Sequence, residues 1–336
     1  MINKKTKFCK AAALLGAAVM MISALAGCGK NTKVVLTAGL KKNEVFRISS
    51  ASCMLPEVMV YLTNMQNQYE SVYGSQIWNA SDGQLSLEQE EREQVLTQLA
   101  RIKVMNLLAQ KKEVTLDDKE KERAAAAGRE YFTSLNSAEV SALNVTQDLI
   151  TKMYEEYALA EKVYQTIVEN VNPEVSDDEA RTITVDRIRV SDSAKASQVL
   201  GKAKEEGVDF ETLAQAESED QTVTQSFGKG EVSEALEKAA FNLGKDEISD
   251  VVESDGSYYI LKCISTFDEA QTKANKEKIV KQRQSEAFDT EYTAFEQTLV
   301  RQLNEELWNS VTMIHQDDVK TSRFFEVYQV YFQHQE

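Results

Sequence analysis

The sequence predicts an α+β chain, with a mostly helical domain built from both ends and a small α+β domain inserted between them. Three observations predict it. Apolar residues recur at helical spacing up to about residue 170, β-branched alternation begins at Thr182, and a second long helical pattern begins at Glu269. Neither helical stretch can bury its apolar face alone, so the economical arrangement joins the two and leaves the middle segment as an insertion. At 336 residues the chain has room for about two such cores.

The N-terminus reads as an export signal. Lys4, Lys5, Lys7 and Lys10 precede an apolar run from Ala11 to Ala26, which is too short for the ~20 residues of a membrane span. The run ends in Leu25-Ala26-Gly27-Cys28, which resembles the lipobox of bacterial lipoproteins. That resemblance implies cleavage before Cys28 and diacylglycerol on its sulfur, and the lipid would anchor the chain stably to a membrane. Ala24-Leu25-Ala26 also satisfies an ordinary A-x-A cleavage site, the alternative reading.

Four helices are expected next. Pro56 opens the first and Gly74 closes it, with Val58, Leu62, Met65, Tyr69 and Val72 on one face. Ser86 and Gln89 form a capping box for the second, along which Val95, Leu99, Ile102 and Met105 recur. Thr115 with Asp118 starts the third, whose Ala124 to Ala127 suit close packing; Thr146 starts the fourth, with Ile150, Met153, Tyr157, Ala160, Tyr164 and Ile167 on a stripe. Such stripes are core first, and a groove for client chains second.

Asn172-Pro173 breaks the pattern. Strands are expected over Thr182–Val190, Glu247–Glu253 and Ser257–Ile264, the last two joined at Ser254-Asp255-Gly256. Helices are expected over Ala194–Glu206, Asp209–Glu217 and Glu234–Asn242, and one long helix over Glu269–Val311. The expected boundaries are 1–27 for the signal, 28–50 for a tether and entry segment, and 51–176 for the first helical part. The inserted domain spans 182–266, the completing helix 269–314, and an aromatic tail 315–336.

Charge excludes one class of partner. Loss of residues 1–27 moves the formal charge from −16 to about −20, and nucleic-acid binding needs a basic face instead. Cys53 and Cys263 read as small buried hydrophobes, with a disulfide as the alternative outside the cell. GxSxG, HExxH and phosphate-cradling motifs are missing, and His315 and His334 cannot make a metal cluster, so no metal or cofactor is expected.

The middle segment carries an ordered set of short matches: Gly207-Val-Asp-Phe-Glu-Thr-Leu-Ala214, Ser218-Glu-Asp220, Phe227-Gly-Lys-Gly230, Leu236-Glu-Lys-Ala-Ala-Phe241, Glu247-Ile-Ser249 and Gly256-Ser-Tyr-Tyr-Ile-Leu-Lys262. Together they resemble the parvulin family of peptidyl-prolyl cis-trans isomerases. With the lipobox and the flanking helices, the whole resembles foldase lipoproteins of the PrsA type, with a chaperone-like helical domain in the SurA and PpiC arrangement. The chemistry implied is rotation about an X–Pro bond against a barrier of ~18–20 kcal/mol. It needs no nucleophile, only an apolar seat for the ring and donors for the twisted amide. The resemblance places the proline pocket at Val232, Leu236 and Phe241. It places the polar half at Arg187, Asp220 and Tyr258, where Arg187 and Tyr258 stand in the family's histidine positions. The family's Gly-Asp-Leu-Gly turn is missing as well.

Three functions are therefore in play. The first is an isomerase-type foldase acting on unfolded or partly folded exported proteins, lipid-anchored on the extracytoplasmic face. The second is a holdase with a catalytically degenerate parvulin domain. The third, a solute-binding lipoprotein, predicts two lobes of repeated strand–helix alternation that the sequence lacks.

Overall fold

The computed structural model describes residues 39–80 and 86–333. The Cys28 reading and His334 lie outside these residues. The described residues cluster into two compact units, one made of those up to Asn170 together with those from Ser285 onward, the other Val171–Gln284. No helix among the described residues is long and apolar enough to cross a membrane.

The first unit begins with β1 (Glu44–Ile48) and β2 (Ala51–Met54), then α1 (Leu55–Tyr73), α2 (Leu87–Lys112), α3 (Asp118–Ser134), α4 (Ser137–Leu143) and α5 (Gln147–Val168). The second contains α6 (Asp177–Ala180), β3 (Ile183–Val190), α7 (Ser193–Ala203), α8 (Phe210–Glu217), β4 (Thr224–Phe227), α9 (Glu234–Phe241), β5 (Val252–Ser254) and β6 (Ser257–Ser265). Helix α10 (Glu269–Glu296) follows, then β7 (Arg301–Leu303), α11 (Glu305–Asn309) and α12 (Phe324–Phe332).

Local side-chain chemistry sets most helix starts. Ser86 Oγ accepts from Gln89 N at 3.2 Å while the Gln89 side chain accepts from Ser86 N at 3.0 Å. Thr146 Oγ1 caps α5 at Leu149 N, 3.2 Å away. Gly74 closes α1 with φ +77°, a left-handed value that glycine adopts without a Cβ penalty. The start of α3 lies at Asp117 rather than Thr115, because Asp117 and Glu120 make the reciprocal capping pair.

Packing in the first unit depends on small residues and one buried ion cluster. Gly128 lies so close to α5 that a Cβ there would stand 2.3 Å from Thr151 Oγ1 and 2.9 Å from Thr151 Cα. Lys103, 1% exposed, bridges Glu57 at 2.5 Å and Glu156 at 2.6 Å. Burial disfavours its charge, but the two carboxylates outweigh that and hold the ammonium above its ordinary range. Glu44 is fully buried at the start of β1, where Arg47, Ser52 and the Lys41 amide all donate to it.

Several expectations are corrected here. The segment expected as tether holds β1, and β2 follows it. Val45, Phe46 and Ile48 of β1 are buried, so that part of the segment is core rather than tether. The helix expected to run to Val311 stops at Glu296, because Arg301–Leu303 pairs with β1, with Phe46 opposite Leu303 and Ile48 opposite Arg301. Strand pairing overrides local helical preference there. The aromatic tail is core: the Phe324 ring stacks on Tyr154 at 4.5 Å and meets Tyr131 and Tyr61, each at 5.3 Å. Asn64 ties it down, donating to Tyr131 Oη at 2.6 Å and accepting from Phe324 N at 3.0 Å.

In the second unit an antiparallel sheet runs β4-β3-β6-β5. Strand β4 is an addition to the expected set, and β5 is shorter than expected. Before it, Ile248 makes only an isolated bridge to Lys262, beyond Asp246 at φ +67°. The period of two divides β3. Ile183 and Val185 join Leu261, Cys263 and α9 on one face, while Ile188 and Val190 join Ile260, α7 and α8 on the other. Cys53 and Cys263 are both buried and unbridged.

Candidate functional site

Parity along β3 decides what the site contains. Arg187 and Arg189 share the face that carries α9, directly opposite Leu261 and Tyr259 of β6. Tyr258 pairs with Val190 and packs with the α7–α8 cluster, so the register puts it on the other face from Arg187. The tyrosine across from the arginine pair is Tyr259. One residue of offset exchanges the faces, and alternation along Arg187-Ile188-Arg189 was the available signal for both Arg189 and Tyr259.

Asp220 is where the two guanidinium groups converge. Its Oδ1 accepts from Arg189 Nη1 at 3.1 Å, and Arg187 Nη2 lies 2.8 Å from Oδ2 as an ion pair without hydrogen-bond alignment. Arg187 Nη1 also donates to Gln225 Oε1 of β4 at 2.5 Å, and Arg189 Nε donates to Ser257 Oγ at 3.2 Å. Ser218 holds the loop in place, its Oγ accepting from Arg189 N at 3.1 Å and from Asp220 N at 3.2 Å. The hydrogen bond and charge of Asp220 raise the Arg189 guanidinium above its ordinary range. The side chains of Arg187 and Arg189 are 24% and 34% exposed, so the pair reaches solvent.

The apolar residues lie on the same face but not all at the same place. Val232, Leu236 and Phe241 belong to one cluster with Phe227, Val252 and Tyr259. Ser233, the α9 cap, meets Ser254 at 2.7 Å between their Oγ atoms, which sets Val232 near the β5–β6 turn and Arg189. Phe241 lies at the other end. Its ring meets Phe227 at 6.1 Å and the Arg181 guanidinium at 4.9 Å. Phe227 pairs with Ile183, four residues from Arg187 and so about 13 Å away along the strand. The structure thus brings Arg187 and Asp220 together, sets Val232 toward the Arg189 end of the same sheet face with Leu236 in the cluster beside it, and holds Phe241 and Tyr258 apart.

This arrangement offers fixed hydrogen-bond donors beside an apolar surface. No group of three His, Cys, Asp or Glu that could hold a metal occurs among the described residues. His315 lies in the first unit, within reach of Gln66 and Glu70. That unit has its own small recess, lined by Arg101, Met105, Tyr157, Ala160, Tyr164 and Phe288.

Residues 161–278 match the family model described as the PPIC-type PPIase domain. Among curated relatives, Foldase protein PrsA of Streptococcus pneumoniae (strain Hungary19A-6) is 30% identical over 165 residues, covering 44% of this chain and 53% of that protein. The chain thus spans about half the length of the curated relatives it matches. The crystal structure of foldase protein PrsA from S. pneumoniae str. Canada MDR_19A is 23% identical, covering 73% of this chain and 92% of that one, at a TM-score of 0.28. The peptidylprolyl isomerase PrsA structure from Bacillus cereus is 18% identical, covering 72% and 91%, at a TM-score of 0.37. The chain carries a PPIC-type PPIase domain and is homologous to PrsA foldase proteins.

Proposed function

We propose that this chain, with its PPIC-type PPIase domain and its homology to PrsA foldase proteins, is a peptidyl-prolyl cis-trans isomerase that assists the folding of exported proteins. We place it on the extracytoplasmic face of a membrane, held by lipid on Cys28. The observation that carries the isomerase reading is the guanidinium pair of Arg187 and Arg189 beside the apolar residues Val232 and Leu236 and the phenol of Tyr259, a further donor, on one sheet face. Val232 and Leu236 would seat the proline ring. The guanidinium N–H groups would donate to the carbonyl oxygen of the residue before proline as the amide twists and loses resonance. Asp220 would hold both donors in place, which spares the cost of ordering them at each turnover.

A proline-limited refolding assay with the purified chain tests this, with aggregation of a proline-poor client followed in parallel. Accelerated refolding is the expected result, and no acceleration would overturn it. The recess lined by Tyr157, Tyr164 and Phe288 favours a second reading, a holdase that takes apolar side chains of unfolded proteins. Suppressed aggregation without acceleration would select that reading.

A further inference from the structure

We infer that the Arg187–Arg189 pair makes this site selective for an acidic residue immediately before the proline. The inference rests on the isomerase reading of the same site. Two guanidinium groups share a single carboxylate, so the Arg187, Arg189 and Asp220 cluster keeps an excess positive charge on a chain whose formal charge is −16. The neighbouring carboxylate, Glu219, acts on Arg189 only through space and as the weakest of its charge partners, because it accepts from Ser191 N at 3.2 Å and Ser191 Oγ at 3.1 Å. Donors remain available. Arg189 uses Nε on Ser257 and Nη1 on Asp220, which leaves its Nη2 for another acceptor, and the side chain is 34% exposed.

Chemistry fixes which position of the peptide meets this charge. The carbonyl that must be held through rotation belongs to the residue before proline. That residue's side chain leaves from the Cα bonded to the same carbonyl carbon, and consecutive Cα atoms lie only ~3.8 Å apart. A donor set placed for the carbonyl therefore stands beside that side chain. A Glu carboxylate there gains a charge-assisted contact, Gln loses the charge, and Lys is repelled.

The test uses the purified full chain and blocked peptides Ala-Xaa-Pro-Phe, with Xaa as Glu, Gln or Lys. Affinity is read by fluorescence anisotropy of labelled peptides, and cis–trans exchange by NMR exchange spectroscopy. Part-exposed ion pairs are worth up to about 1 kcal/mol, so Glu is expected to bind about fivefold more tightly than Gln at low salt, and Lys more weakly than either. The preference should shrink at high ionic strength, and in Arg189→Gln the Glu-to-Gln ratio should approach one. Equal affinity for Glu and Gln in the unaltered chain overturns the inference, even where exchange is accelerated for both. A Glu preference without accelerated exchange for any peptide upholds the recognition and overturns the isomerase reading. Failure of both measurements overturns both.

Discussion

Arg189 stands directly across from Tyr259 in the β3–β6 ladder, while Tyr258, one residue earlier, is turned to the opposite face against Val190. The two adjacent tyrosines therefore respond differently to substitution. Tyr259→Phe is expected to lower kcat/KM severalfold with little change in stability. Tyr258→Ala removes a ring packed on the α7–α8 cluster and should destabilise the second unit by about 2 kcal/mol or more. Chemical denaturation alongside the exchange assay separates the two, and equal catalytic effects for Tyr258→Phe and Tyr259→Phe would refute the assignment.

Asp220 is the residue whose removal should disturb the site most. Asp220→Ala leaves the guanidinium groups of Arg187 and Arg189 facing each other without the carboxylate between them. A loss of about 1–3 kcal/mol in the second unit is expected, together with loss of activity. Rescue of stability by the further change Arg187→Gln, measured as a double-mutant cycle, would show that repulsion causes the loss.

Glu44 predicts an acid limit. Burial pushes its carboxyl up, but donors from Arg47, Lys41 N and Ser52 outweigh this and bring it from 4.5 down to about 2. A depressed acid stabilises the fold above its unfolded value and loses that contribution as pH falls through the folded one. Between pH 4.5 and about 2 the first unit should therefore lose roughly 3 kcal/mol, and Glu44→Gln should flatten that part of the profile. An unchanged acid profile in Glu44→Gln would count against it.

Glu91 acts in the opposite sense. It is 2% exposed, its Oε1 lacks a hydrogen-bond partner, and burial lifts its carboxyl to about 7. The folded state then holds a proton that the unfolded state has released, so stability falls as pH rises from 4.5 to about 7. Glu91→Gln should stabilise the first unit by about 2 kcal/mol at pH 8 and change little at pH 4, as read by urea denaturation at both values.

Gly128→Ala should cost about 1–3 kcal/mol, since its Cβ would press on Thr151 backbone atoms that no rotamer change can move. Pairing it with Thr151→Ser should recover little, because the backbone of residue 151 would still stand 2.9 Å from the added methyl carbon.

Helix starts were legible because a cap is written within four residues: Ser86 with Gln89, Thr146 with Leu149. Pairing between distant segments was not. Strand β7 is three residues long and exists only because β1, some 250 residues earlier, offers it hydrogen bonds. Helix α12 is nearly all aromatic and apolar, so its period points nowhere until Tyr61, Tyr131 and Tyr154 surround it. At the site, residue types are readable in the sequence, and the face that each occupies follows from the strand period of two. Counting alternate residues from Arg187 reaches Arg189, and the register then reaches Tyr259 rather than Tyr258. The distance from Arg187 to Phe241 could not be read at all, because it depends on the direction in which α9 crosses the sheet.

The place of α12 also fixes when the first unit can be finished. Synthesis delivers Tyr61, Tyr131 and Tyr154 long before Phe324, the ring that fills the space among them. The second unit has every strand of its sheet once Ser265 has emerged, so it can close while the older segment waits. During that interval the nascent chain shows the same kind of bare aromatic surface that it is proposed to shelter on other proteins, and any stop before Phe324 would make the delay permanent.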